Sequence, residues 1–241
     1  MTDAVAPPTP ASAGLWEDFI DIFHQPSQVF ERRREGQFGL ALLLVVVIST
    51  VLFFALQNGM APIIEAEASK QAAAIAEQNP QMTGEQISAA RGAIEKFAMF
   101  GMVIFVPIGV LLLAVVLWIA AKFVDAKIAF AAAMMIATYS QVPRIAEIVV
   151  NALQGLLLPP EAVTSRYSVT LGIARFLDPD TNPALMTVVG ALDLFTIWSC
   201  VLLAIGLAVV ARVPLRRAAI AAGIVWVVVL LPALFGALSQ S

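Results

Sequence analysis

Cysteine, histidine and charge are scarce in this 241-residue chain. The single cysteine, Cys200, excludes an internal disulfide and any zinc cluster built on several thiolates. The single histidine, His24, leaves no pair of imidazoles for a buried metal site or a proton relay. Only 13% of residues are Asp, Glu, Lys or Arg, where a soluble domain carries about a quarter. A net charge of −3 is too small to argue for nucleic acid or another polyanion. No H-E-x-x-H, P-loop, G-x-S-x-G or G-x-G-x-x-G is present, and Ser199 and Cys200 have no histidine base beside them. These absences predict a protein that is not an enzyme and needs no cofactor or metal. An odd number of spans without an inverted repeat also argues against a symmetric secondary transporter.

What the chain has in excess is apolar length. Sixty percent of it is hydrophobic, with a mean hydropathy of +0.89, so its side chains need lipid as well as a protein core. About 20 apolar residues at 1.5 Å rise cross a bilayer. Five stretches qualify: 38–57, 97–121, 128–155, 186–211 and 217–238. The fold class predicted is all-α, a polytopic bundle of five transmembrane helices filling 38–238. Positive-inside bias places Arg32–Arg34, Lys122, Lys127, Arg212, Arg216 and Arg217 on the cytoplasmic side. The N-terminus is then inside and the C-terminus outside. The links at 121–128 and 211–217 are short enough to demand tight antiparallel hairpins.

The flanking segments have their own patterns. Residues 1–14, MTDAVAPPTPASAG, lack the basic and apolar regions of a signal peptide and predict a disordered tail. Residues 15–37 predict a cytoplasmic interfacial helix, interrupted at Pro26. It would rest on the membrane surface through Trp16, Phe19, Phe23 and Phe30, with Arg32, Arg33 and Arg34 attracted to anionic lipid. The outside loop 58–96 predicts a helical hairpin: Asn79-Pro80 stops one helix, and the Thr83-x-x-Gln86 capping box starts the next. Between Pro159-Pro160 and Asn182-Pro183, residues 162–177 are half apolar, compatible with a short interfacial helix or a re-entrant dip.

The third span contains an anomaly. Ser140, Pro143, Arg144, Glu147, Asn151 and Gln154 fall on one stripe of about 100°. An arginine facing lipid near mid-depth costs at least about 2.5–3.5 kcal/mol, so the stripe should face the bundle. Arg144 and Glu147 are i,i+3 neighbours, and Asp193, about 10 Å into the fourth span, lies at a matching depth. The expected network is Arg144 bonded to Asp193, completed by Glu147 and Asn151. Pro143 should kink the helix and free the carbonyl of Tyr139, with Ser140 or Gln141 available to satisfy it. Two readings stay open: a structural clasp between helices, or a site for a solute or proton. Ala218-xxx-Ala222 and Ala219-xxx-Gly223 suit close packing of the fifth span.

Y-S-Q-V-P-R at 139–144, A-L-D-L-F-T-I-W at 191–198 and G-L-A-V-V-A-R-V-P-L-R-R-A at 206–218 resemble the Yip1 family of five-span membrane proteins. Phe23-x-x-Pro26-x-x-x-Phe30 resembles that family's amphipathic lead-in. The resemblance covers about 23–238 and implies five helices with a cytoplasmic N-terminus. Eukaryotic members of the family act in vesicle traffic with Rab-type GTPases and with each other. The short N-terminal region here argues against small-GTPase binding and for a version in the bacterial cytoplasmic (inner) membrane. The resulting expectation is a non-enzymatic membrane protein organising partner proteins or lipids. The alternatives are a transporter or channel using Arg144, Glu147 and Asp193, and an accessory subunit of a larger membrane complex. Its expected partners are membrane lipids and, through its transmembrane helices, copies of itself or other membrane proteins.

The charge asymmetry makes a direct prediction about sidedness. In a Cys200→Ser background, a cysteine at Asp125 should resist an impermeant thiol reagent in intact cells, and one at Gln81 should react. The opposite labelling pattern would reverse the assigned orientation.

Overall fold

The computed structural model describes residues 14–178 and 182–238, and all regular structure among them is helical. The tail predicted at the N-terminus lies, apart from Gly14, outside the described residues, as do Pro179 and the last three residues. Ten α-helices follow in order: α1 (Leu15–His24), α2 (Pro26–Arg32), α3 (Gly39–Ala55), α4 (Gln57–Gln78), α5 (Gly84–Phe123), α6 (Phe130–Ser140), α7 (Val142–Leu157), α8 (Pro183–Gly190), α9 (Leu194–Ala211) and α10 (Leu215–Leu238).

Three segments are long and apolar enough to cross a membrane: Val103–Phe123 within α5, α9 and α10. α3 and α4 make a fourth if taken together, but the chain bends by 88° between them. Among the described residues the helices thus supply three such segments, or four with the bent pair, where hydropathy leads to five. The third predicted span divides into α6 and α7 at Gln141, and the fourth into α8 and α9 at Ala191–Asp193.

Each break has a local cause. Proline has no N–H and its ring clashes with the carbonyl four residues back, so α6 stops at Ser140. The chain restarts with Pro143 in the first turn of α7, where no N–H is needed. Pro143 thus opens a new helix, not a kink inside one. At the second break the Asp193 carboxylate accepts from the backbone N–H groups of Phe195 (2.9 Å) and Thr196 (3.1 Å), capping α9. The Trp226 indole on α10 donates to the carbonyl of Ala191, exposed by the same break (3.3 Å).

The α4–α5 turn follows its sequence signals. α4 ends at Gln78, and Thr83 and Gln86 exchange hydrogen bonds of 2.9 and 3.3 Å as a capping box. α5 then runs 40 residues, about 60 Å at 1.5 Å per residue. The tight links are also present, with Asp125 and Arg212 in left-handed conformations at the turns after α5 and α9. The segment 158–178 is not one interfacial helix. It forms three short 3-10 turns, and Gly172 pairs with Asp193 across the α8–α9 break.

The core lies where α6 and α9 pack with α5, α10 and α2. Leu117, Met135, Ile136, Tyr139, Leu202 and Leu207 are fully buried there. Outside it, Leu43, Val47 and Val51 on α3, Ile104 and Leu112 on α5, and Val227 and Phe235 on α10 are exposed. So large an apolar surface is stable only against lipid or another protein. On α10, Ala218 and Ala222 are buried as small-residue packing requires, while Gly223 has open space beside it.

Glycine matters most where α4 crosses α7. A Cβ on Gly59 would sit 2.2 Å from the Ala152 carbonyl oxygen, and one on Gly155 1.9 Å from the Gly59 oxygen. Backbone meets backbone there, with no flexible side chain to yield. Gly155→Val should force α7 off α4 and destabilise the fold by about 1–3 kcal/mol, the range for overpacking. Gly223→Val should leave the midpoint of thermal unfolding in detergent nearly unchanged, and equal midpoints for the two variants would refute the close crossing.

Candidate functional site

Among the described residues, apart from the pairs of Arg91 with Glu65 and Glu95 in the α4–α5 hairpin, two ionic clusters pack on α6, α7 and α9. The first was expected. Arg144 on α7 donates from one terminal nitrogen to Glu147 Oε2 (2.9 Å) and from the other to the Thr196 hydroxyl (3.3 Å). Thr196 in turn donates to Asp193 Oδ2. The direct Arg144–Asp193 pair is replaced by a relay through Thr196. The reason is the break before α9, which places Asp193 at the end of a helix and commits its carboxylate to that helix's first amides. Asp193 therefore lies at the end of α9, not about two turns within a span.

The other members of the predicted stripe have other roles. Ser140 is buried and returns its proton to the Ala137 carbonyl (2.7 Å). Asn151 does not join the Arg144 network, and Gln154 donates to the Val169 carbonyl (2.6 Å), tying α7 to the 3-10 turn at Arg166–Val169. Gln141, Arg144 and Glu147 line a cavity of about 370 Å³ between α7, α3 and α5, together with Ser49. The Arg144 side chain is 42% exposed and that of Glu147 20%, so the pair faces an opening and not a dry helix contact.

The second cluster was not expected. Asp18 on α1 is fully buried, although it belongs to a segment predicted to rest on the membrane surface. Arg33 donates from Nε to Asp18 Oδ2 (2.6 Å), the Tyr139 hydroxyl donates to the same oxygen (3.2 Å), and Arg32 forms an ion pair with Oδ1 (2.9 Å). Arg32 also bonds Asp21 (2.6 Å). Burial works against the Arg32 charge, but the Asp21 bond and the charges of Asp18 and Asp21 outweigh it and raise its pKa. Arg34 pairs with Glu31 at the surface.

This geometry corrects the surface assignment of three residues, Phe19, Phe30 and Arg33. Phe19 and Phe30 are buried, with Phe30 inserted against α9 where Gly206 leaves room for its ring. Arg33 turns to the buried Asp18, while Arg32 stays exposed and pairs with Asp18 and Asp21. Trp16 and Phe23 are exposed as expected, joined by Ile20. Asp18 was legible in principle: it sits in the stripe Leu15, Phe19 and Ile22, where an acid needs an internal partner. The partner Tyr139, 121 residues away, has no such local signal.

The Yip1 domain matches residues 20–236, nearly the whole chain. The chain belongs to the Yip1 family. With its apolar helices, this makes it a helical integral membrane protein. No curated protein and no solved structure matches it. In this Yip1-family chain the matched region takes in both clusters apart from Asp18, which stands two residues before its start.

Removing the Asp18 carboxylate should take one ion-pair partner from each of two arginines, although Arg32 keeps Asp21 and Arg33 keeps Gln37. Asp18→Ala is expected to cost about 3–5 kcal/mol, as breaking a buried ion pair does, whereas Tyr139→Phe removes one hydrogen bond and about 1 kcal/mol. Unfolding midpoints of the two variants in one detergent check the order. Equal and small losses would mean that Asp18 is not the anchor.

Proposed function

We propose that this Yip1-family protein is a non-enzymatic organiser of lipids, and of partner proteins held among them, in the bacterial cytoplasmic membrane. In this reading α1, α2 and the Arg212 end of the bundle face the cytoplasm, following the distribution of Lys and Arg. The observation that carries it is the division of α1 into two faces. Asp18, Phe19 and Ile22 are held in the bundle, while Trp16, Ile20 and Phe23 stand exposed by 63%, 65% and 43%. A helix anchored on one side and apolar on the other is built to press into the adjoining leaflet. The arginines beside it are already paired, so apolar insertion and not charge should supply the attraction.

A transporter or channel is the second reading, and the open cavity at Arg144 and Glu147 favours it. Against it, Asp193 is occupied in capping α9 and Thr196 in bridging to Arg144, which leaves only one carboxylate to meet a solute.

In vesicles of brominated lipid, the fluorescence difference between the native protein and Trp16→Phe should show Trp16 quenched by about half or more. Molar salt should not reverse the quenching, because the neighbouring arginines are spent on Asp18, Asp21 and Glu31. A Trp16 signal reached by aqueous acrylamide but not by bromine would overturn the insertion of α1.

A further inference from the structure

The cavity between α3, α5 and α7 has a chemical character that the clasp does not use up. Arg144 carries five N–H donors, and two nitrogens are engaged by Glu147 and Thr196. Glu147 accepts from Arg144 at Oε2, and among the described residues its other oxygen accepts no bond. Gln141 and Ser49 line the same space, without side-chain bonds among the described residues. Donor and acceptor capacity of both signs thus converges on a cavity whose remaining walls, Val45, Phe105, Val106 and Ile148 among them, are apolar.

The charge pattern selects the ligand. A bare cation at Glu147 meets the Arg144 charge, and a bare anion at Arg144 meets Glu147. Among the described residues no three His, Cys, Asp or Glu side chains gather to hold a metal. A dipolar ligand with a positive and a negative group avoids both repulsions. The opening selects an amphiphile. α3 packs on both α5 and α7, but those two helices barely touch, and Phe105 at the mouth is 48% exposed. The cavity therefore opens sideways into the apolar belt. Its polar wall lies near the Asp193 end of α9, whose 18 residues span about 27 Å, close to the thickness of bilayer hydrocarbon.

We propose that this cavity binds a membrane phospholipid with a primary-amine zwitterionic headgroup, its ammonium on the Glu147 carboxylate and its phosphate on the Arg144 guanidinium. The acyl chains lie along α5 and α3. The site rests on the reading of the protein as a lipid organiser, but none of the exposed α1 residues Trp16, Ile20 and Phe23 lines it. Trp16 insertion and lipid capture can therefore fail independently.

Native mass spectrometry of the full chain in detergent, with phosphatidylethanolamine, phosphatidylcholine and phosphatidylglycerol of identical acyl chains, tests it. The ethanolamine lipid should be retained about tenfold better than the other two, since choline cannot donate an N–H and glycerol carries no positive charge. Glu147→Gln, nearly isosteric, should abolish that preference. Gly109→Phe should remove binding of all three by filling the cavity, because Gly109 lines it and a Cβ there meets no atom within 4 Å. Glycerophosphoethanolamine, the headgroup without chains, should not displace the lipid at equal concentration. Equal retention of the three lipids, a preference that survives Glu147→Gln, or displacement by the chainless headgroup would each overturn the proposal. If Glu147→Gln fails to fold, the Gly109→Phe result decides alone: undiminished lipid retention overturns the site.

Discussion

A carboxylate taken out of water must be repaid with opposite charge and hydrogen bonds, and at the fully buried Asp18 two arginines and a tyrosine supply them. Its two oxygens receive Arg33, Arg32 and the Tyr139 hydroxyl. Those contacts join three parts of the chain that hydropathy alone would treat separately: the N-terminal helix, the basic segment after it, and the middle of the bundle. Once Asp18 is fixed, Phe19 and Ile22 are drawn into the core, and Phe30 follows into the gap at Gly206. The outward position of Trp16, Ile20 and Phe23 is then a geometric consequence of helical periodicity. The functional proposal for α1 depends on that consequence.

The second cluster works differently. Arg144, Glu147, Thr196 and Asp193 form a chain of contacts from α7 to the start of α9, yet the charged pair at one end remains open to a cavity. A clasp alone would gain from closing that opening. Leaving it open retains polar capacity at the edge of an apolar surface, an arrangement suited to a ligand that is itself charged at one end and apolar at the other. The helix breaks at Gln141 and Ala191–Asp193 make this possible, because each ends a rod and lets the next one begin at a different angle or position.

The expected pairing of Arg144 with Asp193 shows how far linear reasoning reaches. The sequence places both residues in apolar surroundings, and they do belong to one network. Matching their depths assumed two uninterrupted helices. That assumption ignored the tendency of Asp to cap the helix that follows it, with Thr196 three residues on as the natural recipient of the cap. Likewise Pro143 is compatible with either a kink or a restart, and the choice belongs to how α6 and α7 pack.

Composition and pattern by themselves determined that this chain is helical, that it belongs in a membrane, and where its α4–α5 turn and its two tight links fall. These follow from solvent transfer and from backbone chemistry within a few residues, which a linear string contains in full. Only the tertiary structure decided that Asp18 is an anchor, that Arg33 turns inward, that Thr196 is the bridge, and that Glu147 borders an opening. Each of these depends on which residue arrives from a distant part of the chain, as Tyr139 does at Asp18 across 121 positions. Charge and hydrogen bonding act over a few ångströms of space, whatever the separation along the chain.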